Sequence, residues 1–529
     1  MFVLTAFLLA SLALALNNMG PARADQDSKA ALAAAQAGID EYISQLSASG
    51  GQYWTNGGVD ANNPALDTTT LAPGCAGGGR SVPGGAVQAA RFCYKVLTPK
   101  TVTAAEGYID LVVTGSSTPP GGGAAVTRTL TTTLRPKGFI DFVYFTDVEV
   151  VDPVLLSHPA GCAKHYYDGR KTQSGCANIR WADKDEVDGP LHSNDALLVE
   201  GDVRFLNPRT ESSWPEDKDG DPDHLWWTEH DKGPKQHPGF LPVYAPKLPL
   251  PVGNQELLKY VMPKLDSSTN LNRPGCLYTG ATRIQFVGTS MKVLSPNTTN
   301  APANCLNVLN RANEQTLAIP PVIYVKPASG ACTGVGYPRP HELTDAKYVT
   351  TTNYEACRGT AFVEGTVDGQ VTVSAEDDVL VTADLVVQDR NGTDIVGLVA
   401  GNYVWIYHPI DDKPIDEKKH LPPCIEPNCP KKSDFENLLD EAHTVDEIDA
   451  AMLSLRHSIL VQNWDMGDHL KKLTIFGALA QKFRGPVGTS AGTGYDKDYI
   501  YDERLRLLQP PFFLAPESAP WRSVQVTDG

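Results

Sequence analysis

Basic charge and recognisable catalytic signatures are what this 529-residue chain has least of. Lys and Arg number 45 against 62 Asp and Glu, which gives a net charge of −17 and a pI near 5.1. That balance argues against a nucleic-acid backbone or an anionic membrane surface as the main partner. No C-x-x-C occurs, so neither a zinc ribbon nor a thioredoxin-type motif is supported. H-E-x-x-H and the phosphate-binding P-loop are also absent. No Lys or Arg precedes Arg23, although a secretory signal normally carries one ahead of its apolar run. That run, Phe2 to Leu16, spans about 22 Å as a helix, short of a roughly 30 Å hydrocarbon core. At 41% hydrophobic and 20% charged residues the chain is nevertheless too apolar to be disordered. Its 46 Gly and 40 Pro predict many turns and short elements.

Residues 1–24 read as a membrane anchor whose natural start lies upstream of Met1. A signal peptide cleaved at Ala22-Arg23-Ala24 is the competing expectation. Gly20-Pro21 predicts a kink or break, because Pro removes a helical hydrogen bond. A second helical segment is expected from about Asp25 to Leu46, with Leu32, Ala35, Ile39, Tyr42, Ile43 and Leu46 as its apolar stripe. The ten cysteines are Cys75, Cys93, Cys162, Cys176, Cys276, Cys305, Cys332, Cys357, Cys424 and Cys429. Their even number and sequence-adjacent couples predict nearest-neighbour disulfides and an oxidising compartment outside the cytoplasm.

The fold class expected is α+β, mainly β. A pilin-like helix and small antiparallel sheet would occupy 25–154, with strands at Phe92–Val96, Tyr108–Gly115 and Val126–Arg135. A loop-rich, cysteine-containing region follows over 155–350, a β-rich domain over 351–498 and a tail over 499–529. Within the β-rich domain Val363, Val371, Val379, Val387, Ile395 and Tyr403 recur every eight residues. Three such sides make a coil of about 24 residues, the pattern of a β-solenoid or β-helix. An antiparallel meander or sandwich is the alternative, supported locally by the Asn391-Gly392 turn signal. Residues 409–433 form an excursion that Cys424 and Cys429 are expected to close.

Several segments bear on chemistry. Gly488-Thr489-Ser490-Ala491-Gly492 matches G-x-S-x-G, but it lies in a Gly-rich loop and no His follows His469, so a hydrolase elbow is not expected. Asp217, Asp219, Asp221 and Asp223 alternate in a loop that can wrap a calcium ion, although Pro222 and Thr228 exclude an EF-hand; a solvated acidic loop is the plainer expectation. His224, His230 and His237 lack helical ligand spacing, and Trp226-Trp227 reads as a loop anchor. Asp377, Asp378 and Asp384 could line a coil face, with a solvated face as the default. No other cofactor is indicated.

Seven segments carry a family resemblance. Ala24–Leu46 resembles the segment that follows the membrane-spanning part in PilX-type pilus assembly proteins with type IV pilin N-termini. Text similar to that group also occurs at Tyr144–Pro153, Gly189–Gly201, Asp394–Pro409, Ser454–Trp464, Gly477–Thr489 and Tyr499–Leu514. One departure from the prepilin pattern is that the fifth residue counted from Phe2 is Ala6, where a pilin carries Glu. The resemblance implies a non-enzymatic, membrane-anchored surface component of a type IV pilus, either a minor pilin or a tip adhesin. It also implies other pilins and the assembly machinery as partners through the N-terminal helix, the membrane through the apolar terminus, and an unidentified surface ligand. A secreted carbohydrate-active enzyme on a β-helix and a pilus-independent surface adhesin are the alternatives.

Overall fold

Helix α1 runs from Phe2 to Ala48 without interruption. The break expected at Gly20-Pro21 does not form: a proline costs its helix one backbone hydrogen bond, and the flanking turns continue on either side. The computed structural model describes residues 2–48, 53, 79–82, 90–119, 123–181, 185–199, 203–214, 226–227, 242–263, 273–335, 356–414, 435–437, 444–489, 492–516 and 519–528. These fall into two compact units, one of residues 1–137 with 518–529 and the other of residues 138–517. Among the described residues no helix is long and apolar enough to cross a membrane.

In the first unit, α1 lies on an antiparallel sheet of β1 (Arg80–Ser81), β2 (Ala90–Val96), β3 (Ile109–Ser117) and β4 (Val126–Pro136). The C-terminal strand Trp521–Asp528 completes the sheet beside β4, pairing Trp521 with Pro136. Residues 499–529, expected as a tail, thus close the first unit with their last strand. The buried stripe of α1 is Ala31, Ala34, Ala35, Ile39, Tyr42 and Leu46. Leu32, expected on that stripe, is 36% exposed. Small residues take the position because helix and sheet approach closely: a Cβ on Gly115 of β3 would lie 2.0 Å from the Ala31 carbonyl oxygen and 2.4 Å from the Ala35 nitrogen. Further along, Tyr42 meets Tyr53 and Tyr94 edge-on over a core of Phe92, Leu111, Val113 and Leu134.

The second unit is built from parallel pairings between strands far apart in sequence, which rules out the antiparallel meander. Its largest sheet uses β5 (Tyr144–Val148), β6 (Leu191–Ser193), β7 (Thr210–Ser212), β8 (Val243–Tyr244), β9 (Val261–Met262), β10 (Gly275–Thr279), β12 (Val322–Lys326), β14 (Gln370–Ala375), β16 (Ile395–Ala400), β18 (Glu447–Ser454) and β20 (His469–Phe483). The spatial order is β8-β7-β6-β5-β20-β18-β16-β14-β12-β10-β9, and every neighbouring pair is parallel. A second parallel row joins β11 (Thr282–Gly288), β13 (Ala361–Val367), β15 (Val379–Val387), β17 (Val404–Ile406) and β19 (Ile459–Val461). A third runs from Leu385 of β15 through β18 and β20 to β21 (Thr493–Tyr501).

The eight-residue period has a direct structural counterpart. Val373 pairs with Leu398 and Val379 with Val404, offsets of 25 residues, close to the three sides of eight read from the sequence. Val363, Val371 and Val379 are fully buried, whereas Tyr403 is only partly so. The Asn391-Gly392 turn does not make a hairpin, since the strands on either side pair in parallel with other strands. All six residues of β16 are buried. Their inner face joins the core, and Pro510 and Phe513 cover Gly397 from outside while Thr372 Oγ1 donates to the Pro511 carbonyl at 2.5 Å.

Disulfides join Cys162 to Cys176, Cys276 to Cys305 and Cys332 to Cys357, which is the nearest-neighbour pairing. Cys93 is also disulfide-bonded. Cys75, Cys424 and Cys429 lie outside the described residues. Such bonds persist in oxidising compartments and suggest an extracytoplasmic protein.

Candidate functional site

Five of the seven segments that carry the family resemblance supply side chains at or beside one place in the second unit, the seam where β5 pairs with β20. Tyr144 and Leu479 are neighbours there although 335 residues separate them. Tyr144–Pro153 supplies Tyr144, Thr146, Asp147, Glu149 and Asp152. Gly189–Gly201 supplies His192, Asn194 and Asp195, Asp394–Pro409 supplies Tyr403, Ser454–Trp464 supplies His457, and Gly477–Thr489 supplies Gln481 and Arg484.

A buried chain of charges crosses the seam. Arg484 Nη1 lies 3.3 Å from Glu149 Oε2, and both side chains are essentially inaccessible. The Glu149 amide donates to Asp195 Oδ2 at 2.9 Å, and Asp195 in turn pairs with Arg170. Thr146 donates its hydroxyl to Glu149. Burial pushes the Glu149 carboxyl above its ordinary pKa, and the Arg484 charge opposes that. Arg484 also lies over the Trp181 ring at 4.0 Å. Each buried acid thus has a buried cation beside it, which offsets the cost of taking both out of water.

Two histidines sit at the edges of this network. His457 Nδ1 lies 2.6 Å from Asp152 Oδ2, and the Tyr403 hydroxyl donates to the same oxygen at 2.7 Å. Tyr403 stacks on the His457 ring at 4.3 Å. The amide of Tyr403 donates to Asp378 Oδ1 at 3.0 Å. Asp378 Oδ2 is buried without a hydrogen-bond partner, 3.7 Å from Arg358, and burial raises its pKa to about 6. On the other side, His165 Nε2 lies 3.2 Å from Asp147 Oδ1, which accepts from Asn194 Nδ2 at 2.9 Å. Burial works against a charge on His165, but the Asp147 hydrogen bond and the Asp195 and Asp147 charges outweigh it and lift its pKa. Burial likewise works to raise the pKa of Asp147, and the hydrogen bonds from His165 and Asn194 outweigh it and hold the carboxyl down.

An acid that orients a histidine is half of a nucleophilic triad. The remaining half is not assembled: no hydroxyl is hydrogen-bonded to the second ring nitrogen of His457 among the described contacts. Glu149 and Asp152 are committed to partners across the seam, Arg484 and His457, whereas Asp147 and Asp195 are committed to neighbours on the β5 side, so the arrangement serves best as a lock on strand register. Asp377 and Asp378 meet at Arg358, whereas Asp384 stands apart and accepts the Asp446 and Glu447 amides. Asp217, Asp219, Asp221 and Asp223 lie outside the described residues, as do His224, His230, His237 and Ser490. Among the described residues no three His, Cys, Asp or Glu side chains are grouped so as to hold a metal. Trp226-Trp227 forms a short strand parallel to Leu197-Leu198.

The sequence does not single out the acids and bases of the seam, because its five segments are no richer in Asp, Glu, His and Arg than the chain as a whole.

Neither a protein-family model nor a curated protein matches the chain. Among solved structures it is similar to the competence-associated pilin ComZ from Thermus thermophilus, at 11% identity over 95% of this chain and 97% of that one, with a TM-score of 0.27. A superposition that loose carries no argument about how this chain folds or what it does.

Proposed function

We propose that the chain is a non-enzymatic, surface-exposed component of a type IV pilus or pilus-like apparatus, with the first unit as its assembly module and the second as the part it displays. The carrying observation is α1. It is one continuous helix of 47 residues, about 70 Å long, and from Arg23 onward its first buried residue is Ala31. The apolar run of the sequence ends at Leu16, fifteen residues and about 22 Å before Ala31. A helix that commits its C-terminal half to its own sheet and carries a separate apolar stretch in its N-terminal half is suited to a membrane first and to neighbouring helices in a filament afterwards. The family resemblance of Ala24–Leu46 and the disulfides support the same reading. Topology supports the division of labour, because the second unit is inserted between β4 and the C-terminal strand of the first. Essentially all of the net negative charge lies in that insert, which keeps a displayed domain soluble.

Mechanical shearing of cells followed by fractionation tests the reading. The protein is expected with the sheared filaments and, before shearing, in the membrane fraction. Recovery in the cytoplasm, or filaments that assemble normally and lack it, would overturn the assignment.

A further inference from the structure

The three disulfides described above differ in how far solvent reaches them. Cys276 and Cys305 are each 1% exposed, and the Cys305 carbonyl accepts the Tyr278 hydroxyl at 2.8 Å. Cys162 is buried, and its partner Cys176 packs against Val148, Val150 and Phe483. Cys332 and Cys357 are both only half-buried. Exposed Ala331 and Thr333 flank Cys332, and a Cβ on Gly330 or on Gly334 would meet no atom within 4 Å. Thiol–disulfide exchange begins with a thiolate attacking one sulfur of the bond, so access helps decide which disulfide reacts.

The chain around this pair is held by contacts other than the disulfide. Both cysteines lie on the connection from β12 to β13. The Asn297 side chain grips that connection on both sides. Its Nδ2 donates to the Thr333 carbonyl at 2.9 Å and to the Ala356 carbonyl at 3.0 Å, and its Oδ1 accepts the Thr333 amide at 2.8 Å. The Ala281 amide donates to the same Ala356 carbonyl at 3.0 Å, and the Ala328 amide donates to the Cys357 carbonyl at 2.7 Å. Val335 is 2% exposed and belongs to the main core. Beyond Cys357, Asp377 accepts the Gly359 amide at 2.8 Å and pairs with Arg358 at 3.0 Å. Both sulfurs lie near the Gly330 carbonyl oxygen, at 3.6 Å from Cys332 and 3.3 Å from Cys357, so a thiol at either position has an acceptor. These contacts keep the two cysteines side by side when the bond between them is open.

We propose that Cys332–Cys357 is a reversible thiol–disulfide exchange site that takes a dithiol as its reaction partner, while Cys276–Cys305 and Cys162–Cys176 stay closed. One thiolate of the dithiol attacks a sulfur of the pair. The Cys332–Cys357 bond breaks, a mixed disulfide forms, and the displaced cysteine thiolate takes a proton. The second thiolate of the dithiol then attacks the first, and the other cysteine leaves and is protonated. The dithiol has been oxidised to a disulfide and the pair reduced to two thiols, a transfer of two electrons. A disulfide reagent runs the same steps in reverse. Accessibility supplies the forward reaction, and the grip of Asn297 on Thr333 and Ala356 supplies the return.

The test applies dithiothreitol or reduced thioredoxin, at equal dithiol concentration, to the folded full chain, followed by iodoacetamide trapping and peptide mass spectrometry. Cys332 and Cys357 are expected to label about tenfold faster than the other two pairs, and the faster reagent shows whether a small molecule or a protein surface is the better source of the dithiol. After the dithiol is removed and oxidised glutathione is added, the pair is expected to close again in the folded protein. Asn297→Ala is expected to slow that closure about tenfold without slowing reduction, since one side chain holds both flanks. Labelling of Cys276 and Cys305 as fast as that of Cys332 and Cys357 would overturn the proposal, as would failure of the wild-type pair to close again.

Discussion

At the scale of single residues, the second unit keeps a carboxylate where it is poorly matched. Asp378 is 1% exposed, and only one of its oxygens has a hydrogen-bond donor. Its folded pKa of about 6 lies above the ordinary 3.8, so its contribution to stability is fully present below pH 3.8 and is lost as pH rises through 6. Asp378→Asn keeps the acceptor for the Tyr403 amide and removes the titration. Between pH 5 and 7.5 the balance is expected to move by about 1.5 kcal/mol in favour of the Asn variant, read as the change in melting-temperature difference between the two proteins at the two pH values. Gly115 is a residue-scale constraint of a different kind. Its Cβ would strike the backbone of α1, which cannot yield as a side chain can. Gly115→Ala is expected to cost about 2–3 kcal/mol and to lower the first transition in a thermal melt of the chain. A melt identical to wild type would mean that helix and sheet can separate at no cost.

At the scale of elements, the sequence was most legible where one period persisted. The helical stripe from Ala35 to Leu46 and the alternation of Val126–Arg135 correspond to α1 and β4 with small errors at the ends. Leu32 misled because hydrophobicity ranks it above Ala31 and Ala34, whereas the close approach at Gly115 admits only small side chains. Asn391-Gly392 misled because turn chemistry specifies a local reversal and says nothing of which strands then pair. Its loop is held by other means: the Asn391 amide donates to Asp389 at 2.8 Å, and Arg504 donates to the carbonyls of Asp389 and Gly392. The seam was half legible. Its segments stood out by resemblance, but the Asp152–His457 and Glu149–Arg484 pairs join residues more than 300 positions apart, and no local pattern encodes such a partner.

At the scale of the whole molecule, the chain is one small fold interrupted by a larger one. The amide of Lys137 donates to the Pro520 carbonyl at 2.9 Å, so the ends flanking the insert are already close. Joining residues 23–137 through Asn-Gly to 520–529 replaces the insert with a two-residue hairpin turn. That protein is expected to unfold cooperatively and to retain protected amides in Trp521–Asp528; loss of either would show that the first unit depends on the second. Within the insert, the disulfides each close a short stretch of chain and none of the three links the two windings. Parallel pairing and the seam carry that task.

By itself the sequence determined the α+β class, the helix with its stripe, the coil period near eight and the pairing of three adjacent cysteine couples. These depend on composition, on short-range periodicity and on spacing along the chain, all of which are local. The tertiary structure alone decided that the C-terminal strand belongs to the first sheet, that the second unit starts winding from its middle, and that five of the seven quoted segments supply side chains around one seam. Those outcomes depend on which distant strands share hydrogen bonds and which buried charges must be paired, and burial imposes that matching only once the chain has folded.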